Sequence, residues 1–331
     1  MVAVTPDAHG SPLLDVIDLN THFFTRDGVV RAVDGVSFRM HQRESLGVVG
    51  ESGSGKTMTA LSIMRLVPEP PGRIVGGRIL FQGTDLLQLG EAEMCHVRGR
   101  DIALVFQDPM TAFDPLYRVG DQIEEAIEWH LRLERKARRA RCIAALERVG
   151  IPAPEVRARA YPHEFSGGMI QRAMIAMALA CEPKLLIADE PTTALDVTME
   201  AQIVDLLRDL QRDTGMGLIY VTHNMGVVAR IAHRVAVMYA GTLVETAPTR
   251  ALFRNLKHPY TLGLMRSVPR VDGDTSERLS AIEGLPPDLI DMPDACPFAP
   301  RCSFVMARCW DERPRLRDVG EDHRIACFAD P

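Results

Sequence analysis

The chain has 331 residues, which at about 150 residues per domain suggests roughly two domains. Its 46% apolar content is enough for a full core. Lysine plus arginine is 38 and aspartate plus glutamate 44, for a net charge of −6, and aromatics are 5%; this argues against a basic nucleic-acid coat and a single-strand stacking platform.

Met1–Pro12 lacks the basic and apolar regions of a signal peptide and reads as a flexible tail. No run approaches the ~20 apolar residues that span a bilayer. The longest uncharged apolar stretch, Ala173–Cys181, reads as a buried helix. A cytoplasmic chain follows, in which disulfides are disfavoured. Leu13–Leu19 and Gly35–Met40 alternate as strands around a turn at Asp27–Gly28. Ser45–Gly50 is a short buried strand, followed by a glycine-rich loop and an apolar-periodic helix over Lys56–Val67, stopped by Pro68, Pro70 and Pro71. Ile102–Phe106 is a buried strand. Val119–Gly150 reads as helix, with an arginine cluster from Arg132 to Arg148 on a solvated face. Gly167–Cys181 is a helix closed by Pro183. Leu185–Ala188, Leu218–Thr222 and Val235–Tyr239 are buried strands, with a helix over Met199–Asp213. Strands alternating with helices imply a parallel α/β sheet. Beyond Thr249 proline becomes frequent and periodicity fades, so a boundary is placed there: a core over 13–248, containing a helical part over about 110–172, and an extension over 249–331.

Gly50-Glu-Ser-Gly-Ser-Gly-Lys56-Thr57 fits the phosphate-loop pattern between a strand and a helix. Gly53 and Gly55 let the backbone turn so that successive N–H groups, including those at Ser52, Ser54 and Met58, face one anion. The helix start adds its positive dipole end. Lys56 can reach the β- and γ-phosphates, and the Thr57 hydroxyl can ligate Mg²⁺. Leu185–Glu190 is an apolar strand ending in two carboxylates, at the sheet edge where parallel α/β folds bind ligands. Asp189 suits Mg²⁺ through water; Glu190 can polarise an attacking water. Phe165-Ser-Gly-Gly-Met169 opens a helix that Ser166 can cap, while Gly167 and Gly168 leave its first N–H groups bare. A second anion site on one chain suggests that it serves another nucleotide across a dimer interface.

This combination resembles the nucleotide-binding subunit of ATP-binding cassette transporters. The resemblance implies a P-loop ABC ATPase core, with a RecA-like parallel sheet, an antiparallel β subdomain and a helical subdomain, plus a small cysteine-rich extension. It makes Gln107 the Q-loop glutamine and a Mg²⁺ ligand, Ala194-Leu195-Asp196 the D-loop, and His223 the switch histidine that contacts the γ-phosphate. Phe23 looks like the adenine-stacking aromatic, with Phe24 its rival. Taken alone, His223 would more often be structural and Gln107 a surface amide; order and spacing mark both. Met169 departs from the general signature, which carries glutamine there. Phe106–Thr111, Pro162–Met169 and Lys257-His-Pro-Tyr260 look like the ATPases of dipeptide/oligopeptide permeases, and Pro71–Gly77 looks like the first of that system's two ATPases. That resemblance implies an importer with two transmembrane permease subunits, a second ABC ATPase in a heterodimer and an extracytoplasmic substrate-binding protein, working at the cytoplasmic face of the inner membrane. It leaves nickel, glutathione or oligosaccharide as alternative cargoes.

Cys296-x5-Cys302-x6-Cys309-x17-Cys327 places four thiols in a proline-rich, poorly cored tail. Neither short gap fits the usual zinc spacing, and loose thiolates suit an iron–sulfur cluster. Zinc or unligated thiols remain the alternatives; similar permease ATPases look alike here, and the resemblance favours a 4Fe–4S cluster. Cys95, Cys142 and Cys181 are isolated and read as structural. Two other functions stay open: a soluble cassette ATPase acting on nucleic acid or ribosomes, against which the charge weighs, and a regulatory module that senses redox state through the tail.

Overall fold

A computed structural model describes residues 11–193, 196–267, 282–290, 292–320 and 322–329. The chain forms two compact units, Met1–Leu87 with Tyr220–Pro331, and Gln88–Ile219.

The first unit begins with β1 (Leu14–Thr25) and β2 (Gly28–Met40), an antiparallel pair turning at Arg26–Asp27. Both run further than the sequence pattern predicts. A register shift between Val16 and Leu19 breaks the period-two alternation, then restores Leu19 and Thr21 to the buried face. The loop after β3 (Ser45–Val49) enters α1 (Lys56–Ile63). That helix ends at Ile63 rather than Val67, because Arg65 turns left-handed at φ 50° and Leu66 N–H bonds back to the Leu61 carbonyl. β4 (Gly72–Phe81) and β5 (Thr84–Asp85) complete a four-stranded sheet ordered β2-β1-β4-β5. β4 was not foreseen; its glycines and arginines hide the strand pattern.

The second unit holds α2 (Glu91–Val97), β6 (Ile102–Val105), α3 (Val119–Leu131), α4 (Arg135–Arg148), α5 (Pro154–Arg157), α6 (Gly167–Leu179), β7 (Leu185–Asp189) and α7 (Val197–Thr214). β6 and β7 pair in parallel, as the alternating pattern requires. The stretch over 119–150 is two helices, not one: Arg132 adopts φ 49° and Glu134 is extended. The arginines of α4 are tethered as well as solvated, since Arg138, Arg139 and Arg141 meet Glu128, Glu124 and Glu182. On α7 the buried stripe Ile203, Val204, Leu207, Leu210 and Gln211 faces inward. Asp196 caps its start, accepting from Met199 N–H at 2.9 Å, and Gly215 ends it in the left-handed region.

β8 (Gly217–Thr222) carries the chain back to the first unit. There α8 (Met225–Ile231) leads into β9 (Arg234–Tyr239), parallel to β3, and β10 (Thr242–Pro248), antiparallel to β9. The extension adds α9 (Thr249–Arg254), α10 (Pro259–Arg266), α11 (Arg308–Asp311), β11 (Arg317–Gly320) and β12 (His323–Ile325). β12 pairs with β10 and β11 with β12, extending the sheet. The extension is therefore cored: Phe298, Tyr260 and Leu264 share one buried cluster with Val49, Val235, Val237 and Tyr239. Among the described residues no helix is long and apolar enough to cross a membrane.

Candidate functional site

In the first unit the loop Gly50–Thr57 joins β3 to α1. Gly55 sits at φ 99°, and a β-carbon there would lie 2.4 Å from the Ala32 carbonyl, so only glycine fits. At Gly50 a β-carbon would meet the Met238 carbonyl at 2.2 Å. Ser54 N–H bonds the Glu51 carbonyl, and Gly241 N–H bonds the Ser54 carbonyl, pinning the loop at two points. Lys56 is buried at the first position of α1 and its ammonium donates to the Gly50 and Glu51 carbonyls, at 2.8 and 2.9 Å. The loop's own oxygens thus hold the charge that a phosphate would take up. Ser52 and Gly53 are exposed; Thr57 and Met58 are partly so. Phe23 is half-buried beside Gly72, whereas Phe24 on the opposite face of β1 is 52% exposed. His223 follows β8 and is exposed, next to Asn224, which caps α8 by accepting from Gly226 and Val227 N–H.

In the second unit β7 delivers Asp189, 5% exposed, and then Glu190. Glu190 adopts φ 43°, rare for a non-glycine residue, at the end of a buried parallel strand. Gln107 Nε2 donates to Glu190 Oε2 at 3.3 Å and Thr193 Oγ1 donates to the same oxygen at 3.0 Å. Gln107, which follows β6, therefore sits beside the carboxylate. Ser166, exposed at the start of α6, accepts from Met169 N–H at 3.4 Å. Gly167 is exposed, and a β-carbon on Gly168 would fall 2.2 Å from Met199 Cε. Ala194 and Leu195 of the D-loop lie outside the described residues; Asp196 is the cap of α7.

Residues 33–193 match the family model described as ABC transporter, and residues 244–309 match the oligopeptide/dipeptide transporter C-terminal region. The chain is 50% identical over 313 residues to the oligopeptide transport ATP-binding protein OppD of Bacillus subtilis, covering 95% of this chain and 87% of that protein. It is 48% identical over 316 residues to that organism's dipeptide transport ATP-binding protein DppD, covering 96% and 94%. The chain belongs to the ABC transporter ATPases. Among solved structures it is similar to the ATP-binding cassette MJ0796 in a dimeric post-hydrolysis state bound to ADP and phosphate. The TM-score is 0.64 at 25% identity, covering 72% of this chain and 99% of that one.

As an ABC ATPase the chain has the expected α/β fold, with both parallel and antiparallel strands. The 4Fe–4S expectation fares differently. Cys296, Cys302, Cys309 and Cys327 are all unbridged thiols, and Cys296 N–H bonds the Cys309 carbonyl at 3.0 Å. Burial pushes the Cys296 thiol up to about 11, with the other three thiols adding to the rise. Among the described residues, however, no group of three or more His, Cys, Asp or Glu is arranged to hold a metal ion. The four cysteines are neighbours without a cluster's geometry. Cys142 is an inert structural thiol, buried and pushed up to about 12. His323 is buried with Glu245, Nε2 to Oε1 at 2.6 Å.

The part that Glu51, Tyr260 and Arg301 play at the nucleotide loop is not legible in the sequence. Glu51 itself carried a signal, since a carboxylate inside an anion loop is misplaced unless a cation meets it. Its cation lies 250 positions away, beyond any local pattern. Thr193, which fixes Glu190, was likewise missed.

Proposed function

We propose that this ABC ATPase is the energy-converting subunit of an importer for di- or oligopeptides, bound peripherally at the cytoplasmic face of the inner membrane. The carrying observation is a formed phosphate loop on a chain that ends in a peptide-transporter type of extension. Lys56 exchanges the Gly50 and Glu51 carbonyls for the β- and γ-phosphates, and the loop amides from Ser52 to Met58 cradle the anion. Thr57 and Gln107 are the ligands of Mg²⁺ in this reading, with Asp189 behind; bound there, the ion would neutralise phosphate charge. Glu190 orients the attacking water and takes its proton, and the Gln107 and Thr193 bonds supply that orientation. His223 contacts the γ-phosphate, and Phe23 stacks on adenine.

Ser166, Gly167 and Gly168 would serve a nucleotide on a second ATPase subunit, which makes closure of a pair the working stroke. Phe106, Met110, Leu116 and Tyr117 are exposed in the segment after β6, apolar surface that a permease subunit would cover. A substrate-binding protein outside the membrane would deliver the cargo.

The test is recovery of tagged Glu190→Gln chain from native membranes with ATP present. Two polytopic membrane proteins and a second cassette ATPase are the expected companions. Ribosomal or DNA-repair proteins without membrane subunits would leave the ATPase and overturn the importer.

A further inference from the structure

We infer that Arg301 and Tyr260, both in the C-terminal extension, are positioning residues of the phosphate loop, acting through Glu51. This rests on the nucleotide-binding role of Gly50–Thr57 proposed above. The Arg301 guanidinium meets the Glu51 carboxylate with both prongs, Nη1 to Oε2 at 2.6 Å and Nη2 to Oε1 at 3.0 Å. The Arg301 side chain is only 3% exposed, and that of Glu51 28%. Arg301 is fixed in turn: Nε donates to the Glu283 carbonyl at 3.0 Å, Nη2 to the Ile282 carbonyl at 3.3 Å and Nη1 to the Tyr239 hydroxyl at 3.3 Å. Buried Tyr260 accepts from Glu51 N–H at 2.7 Å.

Glu51 is therefore held at its carboxylate and its amide by the extension, while its carbonyl holds Lys56. The rings of Tyr239, Tyr260 and Phe298 pack on one another at 4.6 to 5.4 Å, which keeps the brace in place. Pro286, Pro287 and Leu289 line the pocket bounded by Glu51–Ser54.

A bidentate arginine–carboxylate contact fixes direction as well as distance. A loop held open in its binding shape spares the ordering cost when phosphate arrives. A carboxylate beside a phosphate site also repels the ligand unless its charge is matched, and Arg301 matches it. The brace thus sets nucleotide affinity rather than merely docking the tail.

Equilibrium binding of Mg-ATP to the purified full chain tests this, with thermal unfolding measured beside it. Arg301→Gln is expected to weaken binding about tenfold and, since it breaks a buried pair, to lower the unfolding temperature; Arg301→Lys should recover part of the affinity loss. Glu51→Gln reaches the same contact from the loop side, so a folding failure at Arg301 does not end the test. The double variant should lose no more than the worse single. Wild-type affinity in well-folded Arg301→Gln and Glu51→Gln overturns the inference, as does a drop in stability without a drop in affinity. A wild-type chain that binds no nucleotide overturns the proposed function itself.

Discussion

The two units carry their functional groups in opposite ways. In the first, the phosphate loop is pinned by backbone bonds, its lysine is buried and satisfied, and its one acidic residue, Glu51, is held at carboxylate and amide while its carbonyl holds Lys56. In the second, Gln107 and Ser166 are exposed, and Glu190 rests on a strained backbone with two side-chain donors. Groups that hold a ligand gain from being preformed, because ordering on binding costs affinity. Groups that must act only on the bound ligand gain from being able to shift. The first unit is built to bind and the second to respond.

Four predictions sharpen or break that contrast. The largest effect is at Lys56. Lys56→Ala removes the only side-chain cation of the loop Gly50–Thr57 and should lower Mg-ATP affinity by about 10² to 10³, read by equilibrium binding; a loss under threefold would put the phosphates elsewhere.

Next comes a pH effect in the first unit. Burial drives His258 down from 6.5 to about 4, against the opposing pull of Glu245 and the Ala326 carbonyl. Above pH 6.5 the ring is neutral folded and unfolded, so nothing changes. Below it the unfolded chain takes up a proton that the folded chain refuses until about pH 4, so stability falls between those values. At about 1.4 kcal/mol per tenfold the loss approaches about 3 kcal/mol. Glu245 and its neighbour His323 face the same region, so the control is His258→Asn, which can still cap α10. Thermal unfolding across pH 4 to 7 should flatten in that variant; an unchanged slope would show that His258 is not the group responsible.

A smaller effect belongs to the second unit. Thr193→Ala removes a side-chain donor to Glu190 and should cut turnover about fivefold at unchanged ATP affinity. An affinity loss instead would mean that Glu190 also binds. Asp196→Ala deletes the α7 cap and should cost about 1 kcal/mol of unfolding free energy, seen by denaturant titration. A shift well above that would show Asp196 doing more than capping.

Much of this was legible in the chain. The phosphate loop, the acid-ended strand and the capped glycine helix each carry a local pattern, and the structure places Lys56, Glu190 and Ser166 at the element ends their patterns imply. Boundaries were less legible. The helix over 119–150 breaks at Arg132, whose left-handed backbone no side-chain periodicity announces. β4 was lost because a strand of glycine and arginine lacks apolar alternation. The extension was read as poorly cored because its core partners, Tyr239 and Val49, lie far off in sequence. The same separation hid Arg301 from Glu51.

The most direct measurement compares Mg-ATP affinity and steady-state turnover in wild type and Glu190→Gln, the chain assembled with its membrane partners. The account predicts unchanged affinity and a turnover loss of about 10² to 10⁴. Near-native turnover in Glu190→Gln would remove the carboxylate from the chemistry and contradict the division between a unit that binds and a unit that acts.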